Sequence, residues 1–401
     1  MSTATHGATV PVLEDDPFTS ENLENPLPLQ ERLREAGPVV FLRKYGVYAV
    51  ARYDEVYNTL ANWQQMTSGS GVGLSDPWRA RGLLQMDPPE HDAPREVLAS
   101  IMSARVLRSM QDSCRELAES ILDDLLGQAA RGAEVELDGY KDIGSVFPVN
   151  FFPGAAGIDE DQRENLVPYA DHIFNRLGPM NEIAMEGEPR AEALAEWATA
   201  KCQRHALKPE GFGADIWAAA DRGEILHEAA PLLTRSLLSA GVDTTVYGIS
   251  AMLYAFATHP EQWAVLRQNP GLARLAFDEA LRWESPVQMI FRKTASEVNL
   301  SGSSIPADTR VLVCFAAANR DPRRWENPSV FDLSRDPSGH LAFGMGIHQC
   351  VGQHAARLQA ATLLESLAPR VESIELAAPV ARHHNNVLRG WGAMPLRLRL
   401  A

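Results

Sequence analysis

The stretch FGMGIHQCVG, residues 343–352, is followed directly by QHAARLQAATLLESLAPR. Apolar side chains recur at i, i+4 and i+7 across the junction, at Val351, Ala355 and Leu358. This spacing predicts a helix over 351–368 with one buried face. Cys350 would then lie at the N-terminus of the helix, where unpaired N–H groups and the helix dipole favour a thiolate over a thiol.

The residues around the cysteine narrow its role. Gly344, Gly346 and Gly352 would let the backbone approach a bulky planar group closely. A buried structural cysteine would explain an isolated residue, and a zinc site lacks a second cysteine at ligand spacing. The full pattern F-x-x-G-x-H-x-C-x-G resembles the haem-binding loop of the cytochromes P450, in which a cysteine thiolate ligates the iron. The resemblance implies haem b as cofactor and Cys350 as the axial ligand.

Three further motifs of that family occur in this sequence. They are DPPEHDAPR from Asp87, AGVDTT from Ala240, and EALR, which contains Glu279 and Arg282. Glu279 and Arg282 are spaced i, i+3 on one helix face and can form a salt bridge. The resemblance implies that this pair, joined by a third arginine, fixes the core beneath the haem. The candidates for the third arginine are Arg320, Arg323 and Arg324.

The resemblance also implies which residues hold the haem. Two propionates need cations if they are buried, and the family pattern assigns them to His91, Arg95, Arg292 and His348. The other expected haem contacts are Phe343, Gly344, Gly352, Ala240 and Gly241. For each cation the alternative is an ordinary basic residue at the surface.

The segment PLLTRSLLSAGVDTTVYGISAMLYAFA, residues 231–257, predicts a buried helix with polar interruptions. Gly241 and Thr244 loosen such a helix, because glycine has low helix propensity and a threonine hydroxyl can bond the carbonyl four residues back. The resemblance implies that Asp243 and Thr244 deliver protons to oxygen at the haem. The alternative is a threonine inside a helix beside an outward-facing aspartate.

Arg235 and Ser236 lie on the same helix but outside the general family signature. Thr244 follows Ser236 by eight residues, a rise of about 12 Å, and an Arg–Ser pair can bind an anionic group. A para-substituted benzoate has about that length. The alternative for Arg235 is a salt bridge to a propionate or to another helix.

A narrower resemblance supports this interpretation over most of the chain from about residue 60. The segments SGSGVGLSDPWR, TRSLLSAGVDTTVYGI and ESPVQMIFRKT are similar to bacterial P450s that O-demethylate 4-methoxybenzoate. That subfamily implies substrate contacts at Arg235, Ser236, Arg79, Phe174, Leu177, Val287 and Ile290. Leu177 and Ile290 replace expected phenylalanines, and Gly82 replaces an expected small polar residue. We therefore expect a pocket that is wider around the ring.

Composition limits the remaining possibilities. The chain has 401 residues with 45% hydrophobic and 22% charged residues, and its net charge of −15 disfavours nucleic acid or an anionic membrane as main partner. We find neither a secretory signal nor an apolar stretch long enough to span a membrane. Four cysteines give no disulfide framework, which predicts a cytoplasmic protein.

Periodicity predicts a mainly α fold with minor β: the cytochrome P450 fold, with haem between a long distal helix and the helix after the cysteine loop. Helices are expected at 96–130, 160–177, 190–205, 229–258, 260–268, 271–284 and 351–368. Strands are expected on both sides of a turn at 44–46, at 310–317 and at 396–400. Asp54 is expected to cap a helix. One domain should span residues 1–401, and we expect a monomer.

Together these features predict a haem-thiolate monooxygenase that O-demethylates a methoxy-substituted benzoate. The resemblance implies O₂ and NAD(P)H electrons, passed by a ferredoxin reductase and a [2Fe–2S] ferredoxin docking near Arg105, Arg108 and Arg357. The alternatives are a P450 hydroxylase of a terpene, polyketide or fatty acid, and a haem-binding sensor without turnover. Scattered solvated arginines are the alternative for the docking site.

Overall fold

A computed structural model describes residues 10–76, 82–127 and 129–401. Within these ranges helices predominate, as the sequence predicts. The α-helices are α1 Ser20–Glu24, α2 Leu27–Ala36, α3 Tyr53–Ala61, α4 Asp92–Ile101, α5 Ala104–Ser109, α6 Gln111–Leu126, α7 Val146–Ala155, α8 Leu166–Asn175, α9 Glu182–Lys201, α10 Phe212–Asp221, α11 Ala230–Gly241, α12 Asp243–Thr258, α13 Pro260–Gln268, α14 Ala273–Glu284, α15 Phe315–Ala318 and α16 Gln353–Leu367. A π-helical turn, Gly139–Ser145, precedes α7.

The strands are short and form a minor part of the fold. They are β1 Val12–Leu13, β2 Val40–Leu42, β3 Val47–Val50, β4 Met66–Thr67, β5 Glu134–Asp138, β6 Ile290–Thr294, β7 Val298–Leu300, β8 Ser303–Ile305, β9 Arg310–Val313, β10 Val371–Leu376, β11 Ala381–His384, β12 Arg389–Ala393 and β13 Pro395–Leu400. The largest sheet has the order β1-β2-β3-β9-β6-β4, and a second sheet has the order β10-β13-β5. β7–β8 and β11–β12 pair as separate hairpins.

The main core forms around α12, which is buried along nearly its whole length. Apolar side chains of α6, α14, α16 and the π-helical turn pack with it in one cluster. A helix that is apolar on all sides is typical of the interior of a large domain. No helix within the described ranges is both long and apolar enough to cross a membrane.

Several predicted elements differ from the structure in detail. The helix expected over 96–130 is three helices, because the chain leaves helical geometry at Met102 and Met110, where ψ is 23° and 3°. The strand expected over 310–317 ends at Val313, and α15 follows it. Strand β13 agrees with the prediction for 396–400.

The predicted cap of α3 is wrong. Asp54 lies inside the first turn of the helix, and Arg52 occupies the cap position without a capping side chain. The N–H of Tyr53 donates to Asp321 Oδ2 at 2.8 Å. A carboxylate remote in sequence therefore satisfies the free amide, which local patterns could not reveal.

Candidate functional site

The cysteine loop is held in shape by its glycines. Gly344 and Gly346 adopt positive φ of 68° and 74°, and a Cβ on Gly346 would lie 2.5 Å from the carbonyl oxygen of Leu60. The N–H of Cys350 donates to the carbonyl of Phe343 at 2.8 Å, which closes the loop. The predicted helix follows as α16, with Gly352 at its cap position.

The pKa of Cys350 is subject to opposing contributions. Burial raises the pKa of its thiol, whereas amides of Gly352 and Gln353 and the charges of Arg95 and Arg357 lower it. The amides at the helix N-terminus favour the thiolate, and burial opposes them. A coordinated metal cation would act in the same direction as the amides, because it deprotonates a bound thiol.

A cavity of about 280 Å³ lies between the cysteine loop and the distal helices α11 and α12. Cys350, Phe343, Gly344 and Gly352 line its proximal side, and Ala240, Gly241 and Thr244 line its distal side. Cys350 has accessible surface because it faces this cavity. A single space therefore separates the two helices that the sequence places on opposite faces of a haem.

The distal helix is interrupted beside the cavity. α11 ends at Gly241, and Val242 has φ −100° and ψ −71° before α12 begins. The Thr244 hydroxyl donates to the carbonyl of Ala240 at 2.7 Å, in the i−4 bond that the sequence predicts. A Cβ on Gly241 would overlap the ring of Phe152, so glycine is required for their packing.

Four basic groups gather at one end of the cavity. Arg95, Arg292 and His348 line it, and His91 packs edge-to-face against His348 with ring centroids 4.8 Å apart. The Nε2 atoms of both histidines are buried and have no hydrogen-bond partner among the described residues. These two ring nitrogens can therefore accept or donate further hydrogen bonds.

The charge balance at this end favours an anionic ligand. Burial lowers the pKa of Arg292 to about 10, and Asp87 opposes that shift. Burial, with the charges of Arg292 and His91, lowers the pKa of His348 to about 3. Asp87 also accepts bonds from Thr67, Ser68 and Gly69, so it is already engaged. Two carboxylates, such as haem propionates, would fit this excess of donors.

Asp243 and Thr244 face different surroundings although they are adjacent. Thr244 lines the cavity, whereas Asp243 is fully buried and both of its carboxyl oxygens lack a hydrogen-bond partner within the described chain. Burial, and secondarily Asp171, raises the pKa of Asp243 well above its usual range. The carboxyl group therefore keeps its proton at pH values at which an exposed aspartate has lost it.

This burial predicts a pH-dependent gain in stability from Asp243→Asn. The folded-state pKa exceeds the unfolded value near 3.8, so the folded protein binds more protons and the contribution of Asp243 to stability falls as pH rises through that window. Asparagine cannot ionise. We expect the free energy of unfolding of the variant, minus that of the wild type, to increase by up to about 1.4 kcal/mol per pH unit.

Urea denaturation from about pH 5 to pH 8 measures this difference. Asp215→Asn is the comparison variant, since Asp215 is less buried than Asp243. Burial raises the pKa of Asp215, and the charge of Arg222 opposes that shift. A difference for Asp243→Asn that stays constant with pH would contradict the raised pKa.

The expected substrate residues are only partly brought together. Phe174, Leu177, Ser236, Val287 and Ile290 all line the cavity. Arg79 lies outside the described residues. The described chain resumes at Gly82, where a Cβ would be 3.2 Å from Ser236 Oγ, so this loop passes close to the serine.

Arg235 differs from its neighbour Ser236. It is half-buried and is not among the residues that line the cavity. Its charge lowers the pKa of Cys202, opposing the larger effect of burial on that thiol. Adjacent positions on a helix diverge by about 100°, so the two side chains leave α11 in different directions.

The buried salt bridge beneath the cavity is present. Arg282 Nε and Nη2 contact Glu279 at 2.7 and 2.8 Å, and both side chains are inaccessible to solvent. Arg282 also donates to the carbonyls of Asn319, Pro328 and Val330. One guanidinium therefore joins α14 to the end of α15 and to the loop that follows α15.

The third arginine of this network is Arg335, so the three predicted candidates are wrong. Arg335 Nε lies 3.1 Å from Glu279 Oε1. The candidates are engaged elsewhere: Arg320 with Trp283, Arg323 with Glu35 and Arg324 with the ring of Trp325. All four arginines occur within sixteen residues of sequence, and only the path of the loop distinguishes them.

The basic residues expected to receive a redox partner are not equivalent. Arg105 and Arg108 are exposed on α5. Arg357 pairs with Asp278 at 2.7 Å and stacks on Phe343, with its side chain 13% exposed. Its charge is therefore largely neutralised. Clusters of three or more His, Cys, Asp or Glu side chains suited to a bare metal ion do not occur in the ranges that the structure covers.

Comparison with known proteins identifies the family. The Cytochrome P450 family model matches residues 219–370. Cytochrome P450 CYP199A2 of Rhodopseudomonas palustris is 47% identical over 98% of this chain and 96% of its own length. The structure of CYP109Q5 from Chondromyces apiculatus matches with 28% identity and a TM-score of 0.79 over 96% of this chain and 97% of its own. Cytochrome P450 CREJ, in complex with (4-ethylphenyl) dihydrogen phosphate, matches with 26% identity and a TM-score of 0.85 over 96% and 99%. The chain therefore belongs to the cytochrome P450 family of monooxygenases, which carry haem b and receive NAD(P)H-derived electrons through redox partners.

Proposed function

We propose that this monooxygenase O-demethylates a methoxy-substituted benzoate to the hydroxybenzoate and formaldehyde. The observation that carries the proposal is the lining of the cavity, which includes both Ser236 and Cys350 among mainly apolar side chains. A hydroxyl and the iron ligand therefore face the same space. This arrangement suits a flat ligand with one polar end.

The spacing of two residues that line the cavity favours a para-substituted ring. Ser236 and Thr244 both line the cavity and are eight residues apart, which corresponds to a rise of about 12 Å. A carboxylate held near Ser236 would direct the opposite substituent toward Cys350. The Ser236 hydroxyl donates to the carbonyl of Leu232 at 2.9 Å, so binding a carboxylate requires it to rotate.

One relative and the sequence resemblance are consistent with an aromatic anion. CREJ was crystallised with an aryl phosphate, and the likeness to benzoate-demethylating P450s extends here to Arg235, Ser236 and Phe174. The walls differ at Leu177 and Ile290, where smaller side chains replace aromatic rings and leave more room. We therefore extend the proposal to bulkier and meta-substituted benzoates.

The chemistry divides between cofactor and chain. The haem that Cys350 would hold would supply activation of O₂ with two electrons and two protons, so that one oxygen atom enters a methoxy C–H bond and the other is released as water. The resulting hemiacetal collapses to a phenol and formaldehyde. Thr244 holds a hydroxyl proton at the cavity wall, and buried Asp243 holds a carboxyl proton one residue away. The apolar walls orient the ring and exclude water.

The redox partner proposed is a [2Fe–2S] ferredoxin with its NAD(P)H-dependent reductase. Arg105 and Arg108 on α5 would supply positive charge on the cysteine side, with Arg357 contributing less because it is paired. We further propose a cytoplasmic, monomeric protein with a single domain over residues 1–401.

Spectral titration tests the substrate class. We expect 4-methoxybenzoate, 3,4-dimethoxybenzoate and 4-hydroxy-3-methoxybenzoate to convert the haem from low to high spin. The methyl ester of 4-methoxybenzoate keeps the ring and loses the charge, and it serves as the matched control. Equal affinity for the acid and its ester would contradict a carboxylate site, and a response to 4-methoxybenzoate alone would contradict the wider pocket.

Arg235→Leu separates this proposal from a P450 of another substrate class. Arg235 does not line the cavity, so the proposed contact requires its half-buried side chain to turn toward Ser236 when the substrate binds. Loss of a charged hydrogen-bond partner then costs about 1.5–3 kcal/mol, so the dissociation constant for 4-methoxybenzoate should rise about tenfold or more. Binding of the methyl ester should change little. The terpene, polyketide and fatty-acid alternatives predict no selective loss of benzoate, and a sensor without turnover predicts no formaldehyde.

A further inference from the structure

The connection between α8 and α9, residues 176–181, forms part of the cavity wall. Leu177 on this connection and Phe174 in the last turn of α8 both line the cavity. The N–H of Leu177 donates to the carbonyl of Phe174 at 3.0 Å, so one short stretch of backbone carries both side chains. The position of this stretch therefore sets the room that a bound ring has on this side.

Asn386 holds this stretch from the turn between β11 and β12. Its side-chain amide donates to the carbonyls of Asn175 and Pro179 at 3.0 and 3.2 Å, on either side of Leu177 in the sequence. Its backbone N–H donates to Asn175 Oδ1 at 2.9 Å. The amide groups of Asn386 and Asn181 also pair with each other, at 2.8 and 3.1 Å. One side chain therefore bonds to both ends of the connection.

The contact between Asn386 and the connection is buried and closely packed. Asn386 is inaccessible to solvent, and Asn175 is 3% exposed. A Cβ on Gly178 would lie 2.5 Å from Asn386 Cβ, so only glycine lets the turn approach this closely. Water cannot readily replace the amide of a side chain buried this deeply, so its loss should release the connection.

The turn that carries Asn386 is itself fixed to another part of the cavity wall. Asn385 Oδ1 accepts the N–H groups of Val387 and Leu388 at 2.9 and 3.0 Å, which shapes the turn. Asn385 Nδ2 donates to Asp171 Oδ1 on α8 at 2.8 Å. Leu388 forms a β-bridge with Val287, and Val287 lines the cavity. The turn therefore joins two walls of one cavity.

We propose that Asn386 is a positioning residue that fixes Phe174 and Leu177 relative to Val287 and so determines how firmly a ring is held in the cavity. The inference concerns the monooxygenase cavity and does not depend on the benzoate proposed above. Asn386 is not among the residues that line the cavity, so it acts through the backbone of the α8–α9 connection. A displacement of about 1 Å at a distance from the reacting atoms can lower turnover strongly.

Two substitutions disturb this contact from opposite sides. Asn386→Ala removes the side-chain amide and keeps the backbone N–H. Gly178→Ala adds a methyl group that meets Asn386, and Gly178 does not have a positive φ, so its backbone accepts alanine. Because both act on one contact, their effects should not add in the double variant. His384→Gln is the matched control, since it changes the same hairpin at a residue that pairs with Glu24.

Two haem ligands of different size test the inference, with the Soret band as the readout. Imidazole can bind the iron through a ring nitrogen, and 4-phenylimidazole adds a phenyl ring that would reach the wall. We expect Asn386→Ala and Gly178→Ala to raise the dissociation constant of 4-phenylimidazole about tenfold and that of imidazole less than about twofold. Stopped-flow measurements should show faster release of 4-phenylimidazole from both variants. His384→Gln should leave the binding of both ligands unchanged.

The ratio of the two dissociation constants separates positioning from a purely structural role. If Asn386 only stabilised the fold, its loss would weaken both ligands by the same factor, and that result would overturn the inference. Unchanged binding of 4-phenylimidazole in Asn386→Ala and Gly178→Ala would overturn it too. Neither ligand carries a carboxylate, so a failure of the benzoate proposal would leave this test unaffected.

Discussion

Replacement of Cys350 by serine is expected to lower monooxygenase turnover by at least about 10³-fold, or about 4 kcal/mol in the activation barrier. Cys350 faces the cavity, and the backbone amides of Gly352 and Gln353 lower the pKa of its thiol. A serine hydroxyl is a much weaker acid than a thiol, so it supplies little anionic charge to the iron. The thiolate is the ligand that favours O–O cleavage in this family.

The visible spectrum of the reduced, CO-treated protein reports the ligand directly, and NADH-dependent product formation reports the rate. Cys114→Ser is the control, because Cys114 is buried in the helical core, away from the cavity. The control should retain the spectrum of the wild type. A Cys350→Ser protein with wild-type spectrum and turnover would show that another residue ligates the iron.

Replacement of Arg282 by leucine is expected to destabilise the fold by about 3–5 kcal/mol. Arg282 is inaccessible to solvent, and its loss removes the two contacts to Glu279 and three bonds to loop carbonyls. Arg335 would still contact Glu279, but the side chain of Arg335 is 12% exposed and lies at the edge of the network. A loss of this size is a large part of the stability of a typical domain.

Urea denaturation and haem content of the purified protein measure the effect. Arg282→Lys should also be destabilised, because an ammonium group cannot reach five acceptors in a plane. Arg43→Leu is the control: Arg43 and its partner Glu14 are both more than half exposed, so the loss should stay below about 1 kcal/mol. Equal unfolding free energies for Arg282→Leu and Arg43→Leu would contradict the structural role of the buried pair.

Short motifs determined much of what the sequence could predict. The sequence alone predicts the turn around Cys350, because its glycines permit the required backbone conformation. It also predicts the contact between Glu279 and Arg282, because residues spaced i, i+3 are neighbours on a helix. The break in the distal helix was likewise predictable, because Gly241 and Thr244 weaken the helix by local effects. The mainly α fold followed from periodicity.

Contacts between distant segments were not predictable. Asp321 caps α3 from 268 residues away, and His383 meets Asp171 across 212 residues. The choice of Arg335 over Arg320 depends on the course of a loop. No local pattern indicates that Asp243 turns away from the cavity while Thr244 faces it, because that depends on how α12 packs against α8 and α14.

The most direct test of the central claim is formaldehyde release from 4-methoxybenzoate by the purified haem protein with ferredoxin, reductase and NADH. We predict formaldehyde and 4-hydroxybenzoate in equal amounts, in proportion to the NADH consumed. The methyl ester, which lacks the carboxylate, should give much less. Absence of formaldehyde from the acid, or equal turnover of acid and ester, would contradict the account.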